Sequence, residues 1–416
     1  MYQSFNLDSG LRVILAPSAT DVVYAGIAVA TGTRHELDSE SGMAHLVEHM
    51  TFKGTQRLTS MQILNRMESV GGDLNAYTGK EETIYYATFL RQHLKRAIPL
   101  LLDIVFNSTF PQEELDKEVE VVIDEIESYN DSPAELIYDD FEALLFPNHP
   151  LGRSILGNAN RLRQYRTSDL QAFARRTYSP ERAVLFVKGN VTMEELKKIM
   201  KNERVKNENF NNPVPSSKHA TLEGNSDFSL FTPSLFTYKK PVHQAHVMLG
   251  SRGYAATDPR YYGLFLLNNL LGGPAMNSRL SLALRERTGL VYTVESNLTA
   301  YTDTGVWSVY FGCDAEDLKR CLRLVHRELR RLIDRPLSPR ALNAAKQQLL
   351  GQLGISYDHF ENVALAMGKR YLHYHRVLTP VEIAQSIEAL TPEDLQSIAT
   401  EIFNPDRLTA LIFQPE

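Results

Sequence analysis

His45, Glu48 and His49 lie in the stretch GMAHLVEHMTFKGT, residues 42–55. An α-helix advances about 100° per residue, so the two imidazoles leave one face of it and the glutamate stands beside them. Two imidazoles so placed can share one metal ion, and the neighbouring carboxylate can take a proton from a water held close by. The order H-x-x-E-H keeps the histidine spacing of the zinc helix H-E-x-x-H but inverts the place of its glutamate. The plainer alternative is a polar edge on a core helix. Three positions that fit one functional template favour the metal site.

A catalytic zinc takes three protein ligands and leaves one position open. LDKEVEVVIDEIESYNDSP, from Leu115, offers several carboxylates. Drawn as a helix, it centres its apolar stripe on Val119, Val122, Ile123 and Ile126, and turns Glu120, Asp124 and Glu127 to solvent. Glu118 and Glu125, two turns apart on one edge of that stripe, can point along the interface. Helical geometry does not rank one above the other.

The elements that must hold these groups come in two copies. LNAYTGKEETIYYATF from Leu74 resembles LTAYTDTGVWSVYFG from Leu298, and SDLQAFARRTYSPERAVLFV from Ser168 resembles EDLQSIATEIFNPDRLTALIF from Glu393. Two matches in the same order at nearly the same offset indicate a duplicated unit. The expected division is a metal-binding domain at 1–200, a polar linker at 201–228 and a homologous domain at 229–416. LRVILAP, VVYAGIAVATGT, DLNAYTG and TIYYATFL read as strands, whereas SMQILNRMESV, HLKRAIPLLLDIVFN and EELDKEVEVVIDEIESY carry helical spacing. The expected fold is therefore α+β: two homologous α/β sandwiches with helices packed on mostly antiparallel sheets.

Composition narrows the function. A chain of 416 residues with net charge −6 has room for two cores and no basic excess suited to nucleic acid. No apolar run approaches a membrane span, and the first residues lack a signal-peptide pattern, so a cytoplasmic protein is expected unless a leader was removed. Cys313 and Cys321 fit neither a disulfide framework nor a zinc knuckle and are expected to be reduced. HYHR, from His373, falls in a helical stretch and reads as surface polarity. No P-loop, dinucleotide-binding glycine motif or nucleophile-elbow serine is present.

With HLVEH, VVIDEIES and GGDLNAYTGKEETIYYATFL in hand, the chain resembles the pitrilysin family of zinc peptidases, most closely its short branch similar to the mitochondrial processing peptidase. The resemblance implies Glu125, 76 residues after His49, as the third ligand, and Glu118 as a second glutamate associated with the site. It further implies one zinc per chain, with Glu48 as general base. Asn75 and Ala76 match the strand edge that lies along bound peptide, and Glu82 a recurrent glutamate near the site.

The second copy has Asn269, Gly272 and Gly273 where the first has His45, Glu48 and His49, and so lacks the motif. It carries instead LRERTGLVYTV, whose Arg285 and Tyr292 match the family's pair for substrate binding and transition-state stabilisation. Longer family members build a chamber from four such repeats. The resemblance therefore implies a homodimer in which Arg285 and Tyr292 of one chain complete the site of the other, acting on extended peptides. The alternative is a non-catalytic, substrate-binding or scaffolding subunit of a heterodimeric peptidase. A structural zinc protein is disfavoured, because such sites use four ligands, often thiolates.

Overall fold

The computed structural model describes residues 2–202 and 235–416. The expected linker, 201–228, lies outside these residues from 203 onward. The strands run β1 (Gln3–Asn6), β2 (Arg12–Pro17), β3 (Val22–Val29), β4 (Asp73–Thr78), β5 (Thr83–Leu90) and β6 (Ala183–Gly189), then β7 (Leu235–Lys240), β8 (Ala245–Gly253), β9 (Val291–Ala300), β10 (Gly305–Cys313) and β11 (Thr409–Pro415). Among the first helices are α1 (Met43–Thr51), α2 (Ser60–Glu68), α3 (Leu94–Phe106) and α4 (Gln112–Asn130).

Duplication is written in the sheets. The first is ordered β1-β2-β6-β3-β5-β4 and the second β7-β11-β8-β10-β9, so the second repeats the first without β1. Each has a single parallel pair, β2 with β6 and β7 with β11, and its other neighbours are antiparallel. The fold is α+β, as the patterns predict. Among the described residues, β4 and β9, the repeated hairpin strands, each end their sheet with one edge unpaired.

Side chains alternate across each strand and so serve two cores. In the first sheet, Val13, Leu15, Val23, Ile27, Tyr85 and Leu185 face α1 to α4. Ile14, Ala28, Ile84, Val184 and Phe186 face the other way, onto Ala364, Met367 and Leu372 of the helix Phe360–Tyr374. In the second sheet, Val247, Leu249, Trp307 and Phe311 face one set of helices. Met248, Val306, Tyr310 and Phe413 meet Ile137, Phe141 and Leu145 of the helix Pro133–Leu145. Cys313 and Cys321 are free thiols buried in the second unit's core.

The two compact units are accordingly not contiguous in sequence. Ser356–Thr379 belongs with the first sheet and Tyr129–Gly152 with the second. Division at 1–200 and 229–416 follows the strands of each copy but not these two segments, which periodicity alone gives no means of assigning.

Helix Phe360–Tyr374 lies very close to its sheet. A Cβ at Gly368 would stand 2.3 Å from a ring carbon of Phe186, which is itself 1% exposed. Arg12 secures the C-terminal end of this helix by donating to the carbonyl of Leu372 at 3.0 Å. Gly368→Leu is expected to destabilise the unit by about 3 kcal/mol through overpacking, read as a lower urea midpoint. An unchanged midpoint would show that the contact is looser than described.

Candidate metal centre

The motif helix α1 is set by its buried face. Met43, Ala44, Leu46, Val47 and Met50 are buried in the first core. That fixes the helix's rotation and turns His45, Glu48 and His49 to its remaining edge. Gly42 opens the helix with φ of 78°, and a Cβ there would meet the Leu156 carbonyl at 2.7 Å, so glycine suits the position twice over. The buried Glu36 accepts from the N–H of Gly42 at 3.3 Å and of Ala44 at 2.9 Å, satisfying two of the helix's first amides. Burial pushes the Glu36 carboxyl up to about 8, against the pull of those amides and of Arg153.

α4 brings two carboxylates to the same edge at different depths. Glu125 Oε2 stands 3.8 Å from His45 Nε2 and 3.6 Å from His49 Nε2. A ligand atom from each of the three residues lies within 4.8 Å of the others. Tetrahedral zinc with bonds of about 2.0–2.1 Å needs its ligand atoms about 3.4 Å apart, so a small closure of the carboxylate would suit the ion. The donor set also fits: two imidazoles and one carboxylate, with the Glu125 side chain 46% exposed. Glu118 is engaged elsewhere. Its Oε1 lies 3.0 Å from His49 Nδ1 and its Oε2 2.5 Å from Lys53 Nζ. Accepting from Nδ1–H fixes the tautomer that leaves the His49 Nε2 lone pair facing Glu125.

The electrostatics follow from these contacts. Burial lowers His45 to about 3, so it is a neutral imidazole able to donate its lone pair. At His49 burial works the same way, but the bond to Glu118 and the charges of Glu48, Glu118 and Glu125 outweigh it and raise its proton affinity. A metal binding there competes with a proton for the Nε2 lone pair. Glu118 is held below the usual range: burial pushes it up, and the bonds from His49 and Lys53 prevail. Glu48 is raised, first by burial, with the Thr78 hydroxyl and His49 pulling it down and Glu125 pushing it up. A raised glutamate is the better general base near neutral pH.

Asn75 and Ala76 sit mid-way along β4, whose outer edge is unpaired among the described residues, and they lie in register with Tyr86 and Tyr85 of β5. Glu82 is 2% exposed, its carboxylate 2.6 Å from Lys369 Nζ and 2.9 Å from His373 Nε2, both on helix Phe360–Tyr374. Those contacts tether the helix to the residue just before β5. HYHR is surface polarity only in part: His375 and Arg376 are exposed, with His375 Nδ1 3.0 Å from Arg12, but His373 is half-buried and engaged by Glu82. Glu81, Glu82 and His373 could by distance alone hold a second ion, but Arg34 at 2.6 Å from Glu81 and Lys369 already neutralise the carboxylates.

In the second unit, Tyr292 projects from edge strand β9 at 89% exposure, and Arg285 Nε pairs with Glu286 at 2.8 Å. The second copy has no room for a carboxylate where the first has Glu48, because a Cβ at Gly272 would meet the Ser296 amide nitrogen at 2.6 Å. Sequence reasoning passed over Glu36, Lys53 and Thr78. Of these, Thr78 was within reach, for strand alternation puts it on the inward face with Leu74 and Ala76.

Residues 12–159 match the family described as Insulinase (Peptidase family M16), and residues 166–349 that described as Peptidase M16 inactive domain. The chain is 33% identical to an uncharacterized zinc protease, YmxG, of Bacillus subtilis (strain 168), over 99% of this chain and 98% of that protein. It is 30% identical to an uncharacterized zinc protease of Rickettsia bellii, again over 99% and 98%. Among solved structures, a protease from Helicobacter pylori superposes with a TM-score of 0.88 at 21% identity over 100% of both chains. A Pseudomonas fluorescens structure described as a peptidase M16 inactive domain gives 0.85 at 20% identity over 100% of this chain and 98% of the other. At those identities the structures speak to the fold alone. The relatives cover the chain almost from end to end, and it belongs to peptidase family M16.

Proposed function

We propose that the chain is a zinc-dependent endopeptidase that hydrolyses extended or unfolded peptides, with one zinc per chain held by His45, His49 and Glu125. The observation that carries this reading is the convergence of those three ligand atoms within 4.8 Å, with Glu48 beside them on the same helix edge. Bound zinc supplies Lewis acidity that polarises the scissile carbonyl and acidifies water. Glu48 takes the proton of the attacking water and returns it to the leaving amine. Glu118 holds His49 in its ligating tautomer. The free edge of β4 along Asn75 and Ala76 presents the main-chain groups that do not face β5, so the substrate binds as an added strand, a mode that requires extended peptide.

Arg285 and Tyr292 act on substrate in a homodimer, each pair serving the metal centre of the partner chain: the arginine holds a substrate carbonyl and the tyrosine donates to the developing oxyanion. The exposure of Tyr292, an aromatic left at 89% on an edge strand, supports a role outside its own core.

Chelator-sensitive cleavage of an unstructured peptide, restored by zinc, tests the activity. Metal binding with no cleavage would favour the non-catalytic subunit. Mixing tests the dimer: Glu48→Gln chains and Arg285→Ala/Tyr292→Phe chains, each inactive alone, should regain activity when subunits exchange. No recovery despite proven exchange would rule out completion in trans.

A further inference from the structure

The carboxylate proposed as base needs a fixed direction, and its own helix does not supply one. A glutamate side chain has three rotatable bonds, and α1 fixes only where they start. Among the described residues, the hydrogen-bond partner of Glu48 is the hydroxyl of Thr78, whose Oγ1 lies 2.9 Å from Glu48 Oε2. The polarity of this bond follows from its surroundings. An ionised carboxylate only accepts, so Thr78 donates. Among the described residues, the other hydroxyl bonded to that of Thr78, Thr83 at 3.4 Å, gives its own proton to the Thr31 carbonyl at 2.8 Å. The Thr78 proton is therefore free for Glu48, and Thr83 faces Thr78 across the β4–β5 pair so that the register holds it in place.

We infer that Thr78 is the positioning residue for Glu48, an assignment that rests on reading Glu48 as the general base. Its hydroxyl ties down Oε2 and leaves Oε1 as the oxygen that receives the proton of the attacking water. Thr78 ends the strand whose outer edge would carry the peptide, two residues beyond Ala76. One strand thus sets both the line of the substrate backbone and the direction of the base. A peptide that seats along β4 meets a carboxylate already aimed, and the orientational part of the barrier is met before the substrate arrives.

Two measurements on the full chain test this. Thr78→Val keeps the side chain's shape and removes the donor, and Thr78→Ser restores the donor alone. With zinc loaded and an unstructured peptide as substrate, Thr78→Val should lower kcat on the order of 10- to 100-fold, the worth of one hydrogen bond to a charged group. KM and zinc content should stay near those of the parent chain, and Thr78→Ser should recover most of the loss. In the metal-free protein, urea unfolding of Thr78→Val, Glu48→Ala and the double variant should show coupling, the double variant losing less than the sum of the singles.

Additive losses on unfolding, an undiminished kcat in Thr78→Val, or a serine that fails to rescue would each overturn the assignment. So would a kcat loss matched by a loss of zinc. If Glu48→Gln instead keeps full activity, the reading of Glu48 as base fails, whereas a dead Glu48→Gln beside a fully active Thr78→Val refutes only the role of Thr78.

Discussion

Glu48→Gln should lower kcat on an unstructured peptide by about 10²–10⁴-fold while the protein keeps its zinc. The substitution preserves shape and can still accept from Thr78 through its amide oxygen, but it cannot carry a proton. Glu48 is 8% exposed and lies between the Thr78 hydroxyl and the edge of α1 that bears both histidines, so bulk water has little room to replace it. Its carboxylate takes no part in the contacts that join His45 and His49 to Glu125, so metal affinity should be little changed. Peptide turnover and zinc content measured on one preparation check both halves of the claim. Retained turnover would mean that some other group takes the proton.

The two glutamates of α4 should separate just as sharply. Glu125→Ala removes the proposed third ligand and should abolish both zinc retention and cleavage. Glu118→Gln leaves the three ligand atoms intact and removes only the charge that orders His49, at an expected cost of 10- to 100-fold in zinc affinity, with activity recovered at high zinc. Zinc titration against a competing chelator distinguishes the two. Equal loss in both variants would mean that Glu118 is itself a ligand and that the geometry around His49 rearranges on binding.

Much of this was legible in residue order because helices and strands obey short periods. The spacing of His45, Glu48 and His49 forces them to one edge of α1, and the pattern of α4 correctly turns Glu120, Asp124 and Glu127 outward. What periodicity cannot supply is depth. Glu118 and Glu125 share an edge of one helix, and only the way α4 packs beside α1 decides that one meets Nδ1 and the other Nε2. Partners remote in sequence were also out of reach. Glu82 and His373 are 291 positions apart, so the contact that joins them has no local signature. Thr78 shows the opposite failing: its inward direction could be read from strand alternation, but a threonine at the end of a strand is ordinary until a carboxylate is found above it.

The exchange of Tyr129–Gly152 and Ser356–Thr379 bears on how such a protein could have arisen and how it can be dissected. Gene duplication alone would leave two modules able to live separately. Here neither half is self-sufficient: expressed alone, residues 1–202 would bare Ile14, Val184 and Phe186, and residues 235–416 would bare Met248, Tyr310 and Phe413. Such faces invite aggregation. A fragment truncated at residue 202 would therefore report on a surface that the full chain keeps covered.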